Sequence, residues 1–461
     1  MPPRNLTVIF FAAILSLICY HKAERNRYAS GVADAMELVS EYYVEEVDSR
    51  TLFENAMAGM VSGLDQYSAY IDPDSLNQMN ASLDQEFGGV GVEVEKKEPD
   101  QPLLVLSPLV GTPAYRAGIQ AGDRIIAVDG EGMIGIHLTD AVKLMRGKPG
   151  SEITLSIQRA GRDASFDVKI VREVITVDSV LGDMRLANGS WDFHLEENPR
   201  IACLRLTTFG QHTVDEVAKI LESTDERNGF EAIIMDLRGN AGGLLDAAVE
   251  MCDLFIEKGR IVSTNGRHGK MRSSYEATPD LVVPKDIPMV VLVNNYSASA
   301  SEIVAACLQD HQRAVIVGER TWGKGTVQNI LDLDGGRSAL KLTTATYWRP
   351  SGKNIHRRKD ATDEQAWGVR PNQGFEVDVP EAIVEKVFLK RRERDRYQAT
   401  PNGSEAEVDK DDAATTEGDA VDDPQLRRAI DYLNQRLRDK DAATQTALRQ
   451  TRELFQLGVE A

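Results

Sequence analysis

The stretch that decides the fold covers residues 289–328 and reads MVVLVNNYSASASEIVAACLQDHQRAVIVGERTWGKGTVQ. It begins with an apolar strand, Met289–Val293, and turns through small residues into a predicted helix. A second apolar strand, Ala314–Gly318, leads to a lysine that stands between two glycines. Since strand, helix and strand in this order indicate a βαβ unit, we predict an α/β core with a largely parallel sheet over residues 173–380.

Other patterns flank this core. Residues 87–172 combine glycines, short alternating strands and one helical stretch, which predicts a small barrel-like domain. Apolar residues at helical spacing predict a helical region over 24–86. An acidic, Ala- and Thr-rich linker is predicted over 381–423, and a last helix, started by an Asp-Pro pair, over 424–461. The apolar face of that helix must bury against either the N-terminal helices or a second subunit.

The composition argues against a nucleic-acid-binding protein and against a cysteine-ligated metal site. The net charge of −19 argues against nucleic-acid binding, which needs clustered Lys and Arg. The 4 cysteines have no metal-ligand spacing. We therefore expect no metal, no cofactor and no nucleic-acid partner.

The N-terminus predicts export. Leu6–Tyr20 is an uncharged, mostly apolar run between Arg4 and His21. It has the length of a signal-peptide core and is short of the roughly twenty residues that a full membrane span needs. We predict that residues 1–23 form a signal or anchor segment that holds the protein on the extracytoplasmic (periplasmic) side of a membrane. Whether the segment is cleaved stays open.

Ser299 and Lys324 are the candidate reactive pair. Ser299 stands three residues before Glu302, a spacing typical of a helix cap, yet a helix N-terminus also suits a nucleophile because it offers N–H groups to a developing negative charge. A lysine acts as a general base only when neutral, which needs a pKa lowered from about 10.4 by burial. The compact, uncharged neighbours of Lys324 permit that burial. Gln328, four residues on, either orients the lysine or is solvated.

Three other motifs give weaker indications of a nucleotide-binding loop, an oxyanion-binding turn or a catalytic triad. The run Gly318–Gly325 nearly spells a phosphate-binding loop, but its last glycine replaces the hydroxyl that should hold magnesium. The run Gly239–Gly243 lacks dinucleotide-binding spacing, and its N–H groups either hold an oxyanion or only form a tight turn. A Ser–His–Asp triad with Asp310 and His311 is disfavoured, because a helix of about eleven residues and about 16 Å separates them from Ser299.

Together these segments resemble the C-terminal processing peptidases, a family of exported Ser–Lys endopeptidases with an inserted PDZ domain. The resemblance covers about residues 42–380. It rests on four segments in the family's order: DLRGNAGGLL at 236–245, SASASEI at 297–303, GKGTVQ at 323–328 and YWRPSG at 347–352. It implies a core of crotonase- and ClpP-like ββα units, with helical regions at both termini.

The resemblance also implies roles for individual residues. Ser299 would be the nucleophile, Lys324 the base and Gln328 its orienting partner. The oxyanion donors would be the backbone N–H groups of Gly243 and Ala300.

The chain departs from the family's usual pattern in two places. Ala241 in the glycine turn stands where Pro or Gly is common, and Gln66 stands where Pro is common. Neither position touches the chemistry. Some members also implicate an aspartate at the place of Asp310.

The module at residues 87–172 resembles a PDZ domain. Its glycine loop would bind a terminal carboxylate through backbone N–H groups, and the strand after it would pair with the peptide. Apolar side chains near the loop would favour an apolar last residue. The residues of this predicted site are Gly88, Gly89, Val90, Gly91, Val92, Leu138 and Val142.

These features predict a membrane-tethered serine endopeptidase that cuts protein substrates near their free C-termini. The PDZ domain would recruit the substrate, and a second copy of the chain would pair through the terminal helices. A catalytically silent PDZ scaffold that binds C-terminal tails stays an alternative.

Overall fold

The structure, a computed structural model, describes residues 3–186, 189–222, 229–395 and 423–459. Its contacts divide the chain into two compact units. Met1–Gln78 and Gln328–Thr344 form the first unit, and Met79–Val327 and Ala345–Ala461 form the second.

The elements follow one another along the chain in four groups. The N-terminal group is α1 (Pro3–Tyr42), α2 (Ser49–Ser62), β1 (Ala69–Ile71) and α3 (Pro73–Leu83). Next come β2 (Glu86–Gly89), β3 (Val92–Glu95), β4 (Leu103–Pro108), α4 (Pro113–Arg116), β5 (Arg124–Val128), β6 (Glu131–Gly132), α5 (Leu138–Met145), β7 (Glu152–Gln158), β8 (Phe166–Val171) and β9 (Glu173–Thr176).

The third and fourth groups build the core. The third is β10 (Val180–Leu181), β11 (Met184–Arg185), β12 (Trp191–Asp192), β13 (His194–Leu195), β14 (Asn198–Leu206), α6 (Thr213–Glu222), β15 (Ala232–Asp236), α7 (Leu245–Asp253), β16 (Arg260–Asn265) and β17 (Met271–Glu276). The fourth is β18 (Met289–Val293), α8 (Ala300–Asp310), β19 (Val315–Gly318), β20 (Thr326–Leu333), β21 (Ser338–Trp348), α9 (Glu381–Asp395) and α10 (Pro424–Val459).

The first unit joins the N-terminal helices to a small sheet. β1 pairs antiparallel with β21, and β20 pairs with the same strand. Asp48 caps α2, since its carboxylate accepts the N–H of Thr51 at 3.0 Å. Helix α1 runs without a break past residue 23, so the predicted anchor segment and the first predicted helix form one element. Among the described residues, no helix combines the length and the apolar character that a membrane crossing requires.

The predicted barrel-like module is present. Its strands pair antiparallel in the order β3-β4-β5-β7-β8, and β6 pairs with β5. Helix α5 packs Ala141 and Met145 against the sheet. The ribbon of β2 and β9 brings the entering and leaving chains together, so the module extends slightly beyond the predicted 87–172.

The predicted parallel sheet forms the centre of the second unit. β14, β15, β18 and β19 lie side by side in parallel, and every residue of β15 and β18 is buried. Alternating side chains point to opposite faces, so both faces need a cover. Helices α7 and α8 pack on one face, where Met235 and Val291 lie. The loops that follow β15, β18 and β19 leave the sheet from the same edge.

Helix α10 covers the other face of the sheet. The predicted partners of its apolar face were the N-terminal helices or a second subunit, and the structure instead packs that face on the sheet. Its side chains Ala429, Ile430, Leu433 and Leu437 are at most 4% exposed and pack among residues of the sheet strands. This apolar face is therefore part of the packing of the α/β core itself, because the second face of a parallel sheet has to be buried.

The first part of the predicted linker is a helix, which was not predicted from the sequence. Residues 381–395 form α9, which is held by Arg391 and Arg394, both 2.9 Å from the carboxylate of Asp183. The acidic stretch that follows lies outside the described residues.

Candidate active site

Ser299 lies in the turn between β18 and α8. It is the N-cap of α8, has a φ of 57° and is 8% exposed. A positive φ costs a residue with a side chain roughly 1–3 kcal/mol, and such strain persists only where the surroundings impose it. Because residues 300–308 are all buried, α8 itself cannot move to relieve the strain.

Glu302 imposes this conformation. Its carboxylate accepts the N–H of Ser299 at 2.9 Å and the N–H of Lys324 at 2.8 Å on the same oxygen, Oε2. The other oxygen, Oε1, accepts the N–H of Gly323 at 2.7 Å and the hydroxyl of Thr321 at 2.5 Å. One side chain therefore joins the serine turn to the lysine loop. The sequence indicated Glu302 only as a helix-capping residue.

The Glu302 carboxyl group is fully buried. Burial raises its pKa to about 7, while its four hydrogen-bond donors oppose that rise. All four donors point hydrogens at the group, so the arrangement suits the charged form. The result is a carboxyl group held between the two loops, with burial and hydrogen bonding acting on its pKa in opposite directions.

Gly242 and Gly243 bring a third loop against Ser299. A Cβ on Gly242 would lie 2.8 Å from the Cβ of Ser299, and a Cβ on Gly243 would lie 2.2 Å from the carbonyl oxygen of Phe209. Both glycines have positive φ, at 106° and 154°. Within the described part of the chain, the N–H groups of Gly243 and Ala300 have no hydrogen-bond acceptor. One of these donors is on the residue after Ser299, and the other is on the residue after Gly242, which packs against Ser299.

Asn240 fixes this glycine loop. Its carbonyl oxygen accepts the N–H of Ala298 at 3.0 Å and the hydroxyl of Ser301 at 2.9 Å. Its side chain accepts the N–H of Gly242 at 2.8 Å and donates to the carbonyl of Leu206 at 2.9 Å. Asn240 was not among the predicted site residues, although an amide inside a glycine run is typical of a side chain that organises a turn.

Tyr347 is a further neighbour of the serine. Burial raises the pKa of its phenol to about 12, and the neighbouring Ser299 side chain opposes that rise. Its backbone N–H donates to the carbonyl of Gly325 at 2.8 Å. Tyr347 therefore touches both reactive loops, a contact that its place in the YWRPSG segment did not predict.

Lys324 lies in the loop after β19, between two glycines that pack closely. A Cβ on Gly325 would lie 2.2 Å from the backbone nitrogen of His356, and a Cβ on Gly323 would lie 2.7 Å from Arg357. The backbone N–H of Trp322 donates to the carbonyl of Ser297 at 3.0 Å, which is a second link to the serine turn. The Lys324 side chain is half-buried.

The remaining predicted residues of the core are placed as follows. Gln328 belongs to the first unit, where its amide donates to the hydroxyl of Thr343 at 3.3 Å, and its role toward the lysine stays a prediction. Asp310 is 2.6 Å from Arg349, and His311 caps the end of α8. Both lie at the end of α8 opposite Ser299.

The predicted peptide site of the module has a free strand edge. β3 is at the end of the sheet, and within the described residues it pairs only with β4. Gly91 has a φ of 74°, and its carbonyl accepts the N–H of Leu109 at 3.0 Å. Val90 is 2% exposed and belongs to the module's core. Three other predicted pocket residues are half-buried: Val92, Leu138 and Val142.

Residues 200–372 match peptidase family S41, residues 104–159 match a PDZ domain, and residues 20–75 match the N-terminal domain of the activating protease CtpB. A carboxy-terminal-processing protease of Bartonella bacilliformis is 40% identical over 367 residues, which is 78% of each chain. This chain belongs to the carboxy-terminal-processing proteases of peptidase family S41.

Two further similarities concern named proteases. The carboxy-terminal processing protease CtpA of Bacillus subtilis is 36% identical over 326 residues, covering 70% of this chain and 66% of that protein. The solved photosystem II D1 C-terminal processing protease is 26% identical, with a TM-score of 0.41, and covers 76% of this chain and 92% of that one. The match to family S41, the PDZ match and the processing-protease relatives make this chain a serine protease with a PDZ domain. Among the described residues no cluster of His, Cys, Asp and Glu suits a metal ion.

Replacing Glu302 with Gln should damage the protease. The amide nitrogen would face backbone N–H donors, and an unsatisfied buried donor costs about 1–3 kcal/mol. We expect the free energy of unfolding to fall by about that amount and kcat to fall at least about tenfold. Chemical denaturation and casein hydrolysis measure both quantities. Glu131→Gln, on an exposed hairpin, is the matched control, and a Glu302→Gln protein with wild-type kcat would contradict the role given to this carboxylate.

Proposed function

We propose that the protease cleaves peptide bonds with Ser299 as nucleophile and Lys324 as general base. The serine hydroxyl attacks the scissile carbonyl while the neutral lysine amine takes its proton, and the lysine then gives that proton to the leaving amine as the peptide bond breaks. Water then hydrolyses the acyl-enzyme, which releases the acid product and restores the serine hydroxyl. The observation that carries this proposal is the shared carboxylate oxygen of Glu302, which accepts the backbone N–H groups of both residues within 2.9 Å. The two loops are therefore held together at their reactive residues.

The backbone N–H groups of Gly243 and Ala300 would hold the oxyanion. Both donors flank Ser299, and neither has an acceptor within the described chain. Preorganised donors of this kind stabilise the charge that develops on the carbonyl oxygen. The dipole of α8, whose N-terminus begins at Ala300, acts in the same direction. Gln328 would orient the lysine.

Ser299→Ala and Lys324→Ala should each abolish cleavage of casein, because one removes the attacking atom and the other its base. The expected loss in kcat is at least about a thousandfold. Far-ultraviolet circular dichroism should show that both variants keep the wild-type fold. His311→Ala, at the opposite end of α8, should cleave at the wild-type rate, and a Lys324→Ala protein that remained active would exclude this mechanism.

The PDZ domain would recruit substrates by their C-terminal tails. The exposed edge of β3 is available for an added peptide strand, and the half-buried Leu138 and Val142 of α5 would favour an apolar last residue. This recruitment makes the terminal carboxylate the recognised group.

A tail peptide offered with a free or an amidated C-terminus tests this recruitment. We expect KM to rise at least about tenfold for the amidated peptide, because the backbone N–H groups of the loop lose the anion that they bind. Steady-state kinetics on each peptide separately give the two KM values. Equal KM values for the two peptides would show that the PDZ domain does not recognise the terminal carboxylate.

The N-terminal unit would attach the protease to the extracytoplasmic face of a membrane and pair two copies. The apolar run of α1 supports attachment, and an apolar groove between α1 and α2, lined by Val32, Met36 and Leu52, supports pairing. We expect the full chain to sediment with membranes and to scatter light as a dimer in detergent, while residues 24–461 stay in solution. A full chain that remained soluble and monomeric would contradict both proposals.

A further inference from the structure

Arg238 stands between β15 and the glycine loop that carries Gly243. Its guanidinium group donates to the carboxylate of Asp236, at the end of β15, with a shortest distance of 2.7 Å. Its Nη1 donates to Asp423 at 2.9 Å and to Gln425 at 3.2 Å. The side chains of Arg238 and Asp423 are 14% and 13% exposed, so this ion pair is largely removed from water.

Asp423 has two functions at the beginning of α10. Its Oδ1 accepts the N–H of Leu426 at 3.0 Å, which is a helix N-cap, and the same atom accepts the Arg238 guanidinium. One carboxylate therefore caps α10 and also binds Arg238, the residue that precedes the glycine loop. Removing one partner of a largely buried ion pair is destabilising, because the remaining charge loses its compensation.

The backbone on either side of Arg238 contacts the serine turn. The carbonyl of Leu237 accepts the hydroxyl of Ser297 at 2.8 Å, and the N–H of Gly239 donates to the side chain of Asn294 at 3.0 Å. A shift of Arg238 would therefore displace the loop and the turn together. Gly243 is five residues further along the same loop.

We infer that Asp423 is a positioning residue for the oxyanion loop, acting through Arg238. Helix α10, whose residues lie outside the stretch that matches the peptidase family, thereby belongs to the catalytic scaffold. The inference rests on the proposed function, in which Gly243 donates to the oxyanion. Asp423 touches no reacting atom, so its effect appears in the placement of the loop.

A second ion pair between α10 and the core provides a matched control. Arg200 contacts Asp441 at 2.8 Å, far along α10 from Asp423 and away from the glycine loop. Loss of either carboxylate weakens the docking of the same helix. Only the loss of Asp423 also removes a hydrogen-bond partner of Arg238.

The test compares Asp423→Ser with Asp441→Ser in the full chain. Serine keeps an N-cap at residue 423 but is too short to hold Arg238. We expect kcat for a peptide substrate to fall at least about tenfold in Asp423→Ser, with KM within about twofold, because removal of one oxyanion donor outright costs about 10²–10³ in kcat. Asp441→Ser should keep the wild-type kcat even where its melting temperature falls as much.

Hydrogen exchange at residues 239–243 gives a second readout that does not depend on activity. We expect faster exchange there in Asp423→Ser and unchanged exchange in Asp441→Ser. Wild-type kcat and exchange in Asp423→Ser, or equal losses of kcat in both variants, would overturn the inference. A wild-type protein that cleaves nothing would instead contradict the proposed function, and the exchange comparison would still decide the role of Asp423.

Discussion

The four hydrogen bonds to the buried Glu302 carboxyl group are the interaction on which the reactive centre depends. Taking a carboxylate out of water is costly, and the structure compensates with four hydrogen bonds. These bonds come from the serine turn and from the lysine loop. The cost of burying the charge is therefore offset only when the two loops occupy their observed positions.

The parallel sheet explains why the functional loops meet. β15, β18 and β19 are neighbours with the same direction, so the glycine loop, the serine turn and the lysine loop leave the sheet at one edge. Ligand sites in open parallel sheets lie at that edge. Glycines then allow close approach: Gly242 packs against the Cβ of Ser299 and Gly325 against the backbone of His356. The strained φ of Ser299 follows from this crowding and from the hydrogen bond to Glu302.

The two faces of the same sheet connect the core to distant parts of the chain. Helix α8 delivers Ser299 from one face, and α10 covers the other with Ile430 and Leu433. The Arg238–Asp423 pair joins α10 to the glycine loop at the edge between these faces. The C-terminal helix is thus packed into the protease core, while its apolar pattern alone was equally compatible with a dimer interface.

Local sequence determined the elements and the chemistry that they carry. Apolar runs predicted β15 and β18 because buried parallel strands are apolar on both faces. The small residues around Ser299 and the glycines around Lys324 predicted a serine and a lysine on tight turns because few other residue types allow such close backbone approach. Asp310 and His311 were placed at the end of a helix by spacing alone, and the structure has them there.

Only the tertiary structure decided which distant groups meet. From sequence, Glu302 was predicted only as a helix-capping residue. Its contacts with Thr321 and Gly323 depend on the packing of two loops, which local residue spacing does not reveal. The contact of Tyr347 with Ser299, the burial of α10 and the pairing of Asp423 with Arg238 depend in the same way on the sheet having two faces and one common edge. Periodicity reports that a face must be buried, whereas the partner that buries it is set by the competition among all faces in the folded chain.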